Sequence, residues 1–261
     1  MHNRGVDMID TQKAKKELKK YVNNYDIEDK KIKLKIAHIE RTANLAKEIA
    51  KNLGLDTEDV QLAELIGLLH DIGRFEQVKR YHTFIDKNSI NHGELGVEIL
   101  FKEGLIRNFI EDKQYDEIIK KSILNHNRGK KDLTFSNEKE ELHSKIIRDA
   151  DKTDIIYILT FEEKKVAWEK EDFSKEKMSD EIYREFIEDR AINYREIGTS
   201  VDILVSHFAY VFDFNYQYGL QRIKEKGYFE KIYQRFKFED KETEDRVNHI
   251  YRTVRKYLES I

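Results

Sequence analysis

The chain has 261 residues, enough for one large domain or a core with an appended subdomain, and 39% of them are hydrophobic, enough for a real core. Basic and acidic residues nearly cancel, 48 against 51, so no global field draws the chain to nucleic acid or an anionic membrane; only a local basic pocket fits this balance. The absence of cysteine excludes disulfides, thiolate metal sites and cysteine nucleophiles.

With no proline, only 11 glycines and abundant Lys, Glu, Ile and Leu, the composition favours helix nearly throughout, and no segment alternates as a strand does. No apolar run reaches the roughly 18 residues of a spanning helix. No apolar stretch follows Met1-His2-Asn3-Arg4-Gly5 as it would in a secretory signal, so the expectation is a soluble cytoplasmic protein. Ala14, Leu18, Tyr21, Val22 and Tyr25 recur at a spacing of three to four and predict a first helix over 11–25. A longer helix is predicted over 30–53, with Ile32, Ile36, Ile39, Ala43, Ala46, Ile49, Ala50 and Leu53 inward and Gly54 as its stop. His38 and Arg41, three apart, share a face of it.

Asp56 or Thr57 caps the next helix, whose apolar residues from Val60 to Leu69 cover nearly its whole circumference. This helix is therefore buried, and it runs straight into His70-Asp71 before Gly73 breaks it. Residues 74–90 read as a basic, aromatic loop with a short turn. Ser89 or Asn91 opens a helix carrying His92 and ended by Gly104. A helix over 114–126 ends at His126, and Asn127-Arg128-Gly129 follows as a loop. Ser136 or Asn137 caps a helix through Leu159, with Asp151 in its middle among apolar residues. Residues 163–180, weakly periodic around Trp168 and Phe173, read as a linker or lid. Amphipathic segments follow at 180–195, 199–213, 215–226 and 241–260. The Phe- and Tyr-rich stretch Val201–Tyr218 reads as the core of these helices or a homodimer contact, rather than a platform for stacking a base. The expected organisation is an N-terminal helix (1–29), a metal-binding core (30–160) and a C-terminal helical extension (161–261).

A histidine near an apolar face is ordinarily a hydrogen-bonded core or capping residue, and a lone helical aspartate is ordinarily a surface group. The set changes that reading. Four of nine histidines, His38, His70, His92 and His126, fall at ends or inner faces of predicted core helices, and Asp71 and Asp151 complete a nitrogen and oxygen ligand set without sulfur. Burying such groups is costly unless something binds them. Imidazole with carboxylate suits Mn, Fe, Co, Ni or Zn, and leaves room for Mg. At a helix end His70 and Asp71 can both turn toward one ion, and Asp71 can offer its second oxygen to another. His82, His143 and His207 lack such a context and read as surface or core histidines.

The ordered set resembles the HD-domain metal-dependent phosphohydrolases over roughly residues 30–160. His38-Ile39-Glu40-Arg41 looks like their opening His-x-x-Arg, Leu68-Leu69-His70-Asp71-Ile72-Gly73 like their central signature, and Asp149-Ala150-Asp151 like their closing segment. Asn91-His92-Gly93 and Asn125-His126 fall where the two-metal members place extra histidines. The resemblance implies an all-α HD bundle. It implies one divalent ion on His38, His70, Asp71 and Asp151, a second on Asp71, His92 and His126, and a bridging hydroxide that attacks phosphorus. Arg74 stands where lysine is common in that branch; it keeps its proton and reads as a catalytic charge clamp on a substrate phosphate, not a general base. Arg41, Arg128 and Lys152 are further candidates for phosphate oxygens. A proline-free chain lacks the Gly-Tyr-Pro segment of the cyclic-di-GMP hydrolases. The His-Gly and later His pattern is also similar to bacterial diadenosine tetraphosphate hydrolases. The expected substrate is a small phosphorylated molecule, a nucleotide or dinucleotide. The alternatives are a one-metal nucleotidase or nucleoside triphosphate triphosphohydrolase, with His92 and His126 acting on substrate, or a non-catalytic nucleotide-binding module that regulates a partner. Nucleic-acid binding is the least favoured reading.

Overall fold

The computed structural model describes residues 9–168, 170–194 and 196–261. It is all-α, with no strand among the described residues. Among them, no helix is long and apolar enough to cross a membrane. The chain separates into two compact units, one up to Asp151 and one from Lys152 onward.

The N-terminal unit contains α1 (Thr11–Val22), α2 (Lys30–Asn52), α3 (Thr57–Leu69), α4 (Gly73–Tyr81), α5 (His92–Val97), α6 (Ile106–Phe109), α7 (Asp116–His126) and the first half of α8 (Glu138–Phe161). Its core joins Ile39 and Ala43 of α2, Leu62 to Leu69 of α3, Phe75 and Val78 of α4, and Ile119 and Ile123 of α7. The central helix α3 is capped by Asp56, whose side chain accepts from Asp59 N. It carries little sidedness and is buried almost all round. Glu64 in its middle is fully buried and paired with Lys15 of α1 and Lys47 of α2. At its start, Asp59 accepts from Lys139 Nζ (2.8 Å) and from Nε2 of the buried His143 on α8 (3.1 Å).

Two glycines set the helix spacings that matter. A Cβ on Gly67 would lie 2.5 Å from Ala43 Cα, so only glycine lets α3 press this closely on α2. A Cβ on Gly73 would lie 2.3 Å from the His92 carbonyl oxygen and 2.7 Å from Gly96 N, so α4 and α5 cross almost backbone to backbone. Gly73 does not simply break the chain after Asp71. It starts α4, with Arg74 N donating to Asp71 O at 2.9 Å. The segment expected as a loop over 74–90 is therefore helical to Tyr81; Phe75, Gln77 and Val78 give it a buried face that its many charged residues mask in the sequence. His82 then closes α4 in the left-handed conformation (φ 56°). The helix carrying His92 ends early and continues as a π-helical turn, Glu98–Lys102.

The C-terminal unit holds the rest of α8 and α9 (Lys164–Ala167), α10 (Asp180–Asp189), α11 (Ser200–Ala209), α12 (Gln217–Lys226), α13 (Tyr228–Gln234) and α14 (Lys241–Glu259). The expected linker over 163–180 is instead part of this unit's core, because Trp168, Phe173 and Met178 are buried in it. Phe208 and Val211 are buried there too, with Phe212 and Phe214 packed against them.

Candidate metal centre

Five elements of the N-terminal unit bring their polar residues to one place. His38 points inward from the middle of α2. His70 is the C-cap of α3, and Asp71 follows in the turn to α4. His92 is the first residue of α5, whose N-cap Asn91 accepts from Glu94 N at 3.1 Å. His126 is the last residue of α7, and Asp151 stands on α8. All six are buried.

The two oxygens of Asp71 face different partners. Oδ2 lies 3.4 Å from His38 Nε2 and 3.7 Å from His70 Nε2. Oδ1 lies 3.4 Å from His92 Nε2 and 3.7 Å from His126 Nε2. Asp151 Oδ1 completes the first side, at 3.1 Å from His38 Nε2 and 3.6 Å from His70 Nε2. In each of the groups His38, His70, Asp71 and Asp71, His92, His126, the candidate ligand atoms lie within 4.8 Å of one another. Asp71 belongs to both.

The tautomers follow from the outward-facing ring nitrogens. His70 Nδ1 donates to Gly67 O at 2.8 Å, and His126 Nδ1 donates to Ile123 O. His92 Nδ1 donates to the Asp86 carboxylate, 2.7 Å from Oδ2. A carbonyl or carboxylate oxygen only accepts, so these three protons sit on Nδ1 and the inward Nε2 atoms carry lone pairs. The His70 and His92 rings are also held neutral. Burial lowers the basicity of His70, and burial together with the Arg74 charge brings His92 down to about 3. Burial pushes the Asp71 carboxyl up, but the Lys35 ammonium, 2.6 Å from Oδ2, holds it well below the usual carboxylate range. The Asp151 carboxyl is likewise held well below that range against burial, with His38 Nε2 3.1 Å from its Oδ1.

This arrangement fits divalent ions. His92 Nε2 and His126 Nε2 face each other at 2.9 Å, and His38 Nε2 and His70 Nε2 at 3.3 Å. In the first pair both atoms are lone-pair acceptors, and neither can donate to the other. Such a contact in a buried site is repulsive unless a cation shares the lone pairs, and imidazole with carboxylate is the donor set that does so.

Several supporting residues were not legible as site residues. Asp86 accepts from His92 Nδ1, from Arg74 Nη1 (2.9 Å) and from Gln77 Nε2 (2.8 Å). Arg148, 1% exposed, donates from Nη1 to the carbonyls of Asn125 (2.8 Å), His126 and Arg128, and so holds the end of α7 that presents His126. Lys35 Nζ lies 2.6 Å from Asp71 Oδ2. Asp86 sits in a stretch whose only sequence signal is its polarity, and Lys35 and Arg148 look like members of ordinary charge runs.

The predicted phosphate contacts divide. Arg74 is beside Asp71, with Nε 3.6 Å from Oδ1, but its Nη1 serves Gln77, Phe84 O and Asp86. It acts here as a brace between Asp71 and the loop after α4. Arg128 is partly exposed just after His126 and forms no ion pair among the described residues. Arg41 is half-buried one turn beyond His38. Lys152 is paired within the C-terminal unit, 3.0 Å from Asp213 Oδ2 and over the Tyr210 ring.

Residues 36–156 match the HD domain model. This stretch is an HD domain. HD domains bind divalent metals, and their superfamily is one of metal-dependent hydrolases. Searches of curated proteins and of solved structures give no match. The HD domain contains all six residues of the cluster.

Proposed function

We propose that this protein is a metal-dependent phosphohydrolase that cleaves a phosphoester or phosphoanhydride bond of a small substrate, a nucleotide or dinucleotide. The observation that supports it best is Asp71, each of whose oxygens faces its own pair of histidine Nε2 atoms. His38, His70, Asp71 and Asp151 would hold one ion, and Asp71, His92 and His126 the other. Two such ions supply Lewis acidity, which makes water a nucleophile near neutral pH and offsets charge on the phosphoryl oxygens.

The protein's own groups do the rest. Gly67 O, Ile123 O and Asp86 keep three Nε2 lone pairs free and aimed inward. Arg74 braces Asp71. Arg128, with no ion pair of its own among the described residues, is available to an outer phosphate oxygen. The near-neutral charge balance favours a small substrate over a nucleic-acid polymer.

A hydrolysis screen tests the reading. Mononucleotides, dinucleoside polyphosphates and cyclic dinucleotides would be offered with Mn, Fe, Co, Ni and Mg in turn. Turnover of at least one class that Asp71→Ala abolishes is the expected result. Tight nucleotide binding with no turnover under any metal would instead make the protein a regulatory module.

A further inference from the structure

Lys35 stands on α2 one turn before His38, and its side chain is only 13% exposed. Its ammonium lies 2.6 Å from Asp71 Oδ2, the oxygen that also faces His38 and His70. The Phe84 ring lies on another side, with its centroid 5.2 Å from Nζ. Asp71 is the hydrogen-bond partner of this ammonium. The ring face offers a cation only a weak additional attraction.

The position is odd for a structural ion pair. Asp71 is the carboxylate on which the cluster converges, since each of its oxygens faces a histidine lone pair, that of His70 on Oδ2 and that of His92 on Oδ1. A divalent ion held by His38, His70 and Asp71 would compete with the ammonium for that carboxylate and would repel it at short range. The local charge then reverses, because four positive charges on two ions exceed the two negative charges of Asp71 and Asp151. A mostly buried ammonium that has lost its carboxylate needs another anion. The side chain is long and flexible enough to reach one without moving α2.

We propose that Lys35 is a phosphate-binding residue of this centre, released from Asp71 by metal uptake and hydrogen-bonded to an anionic phosphoryl oxygen of the substrate. The assignment rests on the phosphohydrolase reading and adds to it that anion binding is coupled to metal loading through one side chain. Anionic phosphoryl groups are selected over neutral esters for the same reason.

The test uses the full chain loaded with Mn²⁺ and titrated calorimetrically with inorganic phosphate, with metal content measured in parallel. Lys35→Met is expected to weaken phosphate binding by about 10–100-fold, the loss of a hydrogen bond to a charged group. Its Mn²⁺ content is expected to equal or exceed that of the wild type, since a competing cation has been removed. The metal reading also reports that the variant is folded. Phosphate uptake that Lys35→Met leaves unchanged overturns the assignment alone. Loss of Mn²⁺ together with phosphate also overturns it, by making Lys35 a structural support for Asp71. If the loaded wild type takes up no phosphate the assignment fails, whereas the phosphohydrolase reading fails separately, on absence of turnover in the hydrolysis screen.

Discussion

Asp86→Ala separates the two sides of the centre. Among the six candidate ligands, Asp86 accepts from His92 only, through Nδ1 at 2.7 Å. Removing the carboxylate leaves that N–H without its acceptor in a buried site and frees the ring to turn or to move its proton to Nε2, where a metal needs the lone pair. It also takes one acceptor from Arg74, which keeps Gln77 and Phe84 O. Loss of such an outer partner costs about 10–100-fold in metal affinity, or ~1.4–2.8 kcal/mol. The loss should fall on the Asp71, His92, His126 group and spare the side formed by His38, His70 and Asp151. Asp86→Asn should lie between, because an amide oxygen still accepts from Nδ1 but carries no charge. Titrating metal-free protein with Mn²⁺ reads this directly: two classes of site in the wild type, one of them weakened in the variants in the order Asn, then Ala. Equal weakening of both classes, or of neither, would refute the role given to Asp86.

Four further outcomes follow from the packing and the ion pairs. Gly73→Ala places a Cβ 2.3 Å from the His92 carbonyl oxygen, so overpacking of about 1–3 kcal/mol should outweigh the ~1 kcal/mol of helix propensity gained. Gly96→Ala meets nothing closer than 3.5 Å and should be neutral or stabilising in the same denaturant series. Arg148→Met removes donors to the carbonyls at the end of α7 and should lower stability by about 1.5–3 kcal/mol while weakening the metal site that uses His126. The His143 hydrogen bond, helped by Lys139, holds the Asp59 carboxyl down to about 2 against the upward push of burial. Because this folded-state value lies below the ordinary 3.8, the pairing stabilises the fold above about pH 4 and is lost as pH falls through about 2. The stability gap between wild type and Asp59→Asn should therefore close on acidification in that window.

The buried helix ending in His70-Asp71 was readable because its apolar residues leave no polar face, and a polar pair at its end then demands a partner. Asn91 and Asp56 announce their helices by capping chemistry, and both caps form. The α4 helix was hidden because its buried face is only Phe75, Gln77 and Val78 among charged residues. In 163–180, Trp168, Phe173 and Met178 are too widely spaced to set a period, yet each fills the core. Asp86, Arg148 and Lys35 act on the site from loop, helix and helix positions that no local pattern connects. Their roles depend on which helices meet, and that is fixed by the close approaches at Gly67 and Gly73. Arg74 reads in the sequence as a phosphate clamp, but its guanidinium is committed to Gln77, Phe84 and Asp86, which no spacing could have indicated.

The central claim is that one carboxylate, Asp71, serves two ions. The direct measurement is metal content per chain after saturation with Mn²⁺ and removal of excess, for the wild type and for Asp71→Ala. The account predicts close to two ions in the wild type and neither held in the variant. A wild-type value near one, or an Asp71→Ala protein that retains either ion, would contradict it.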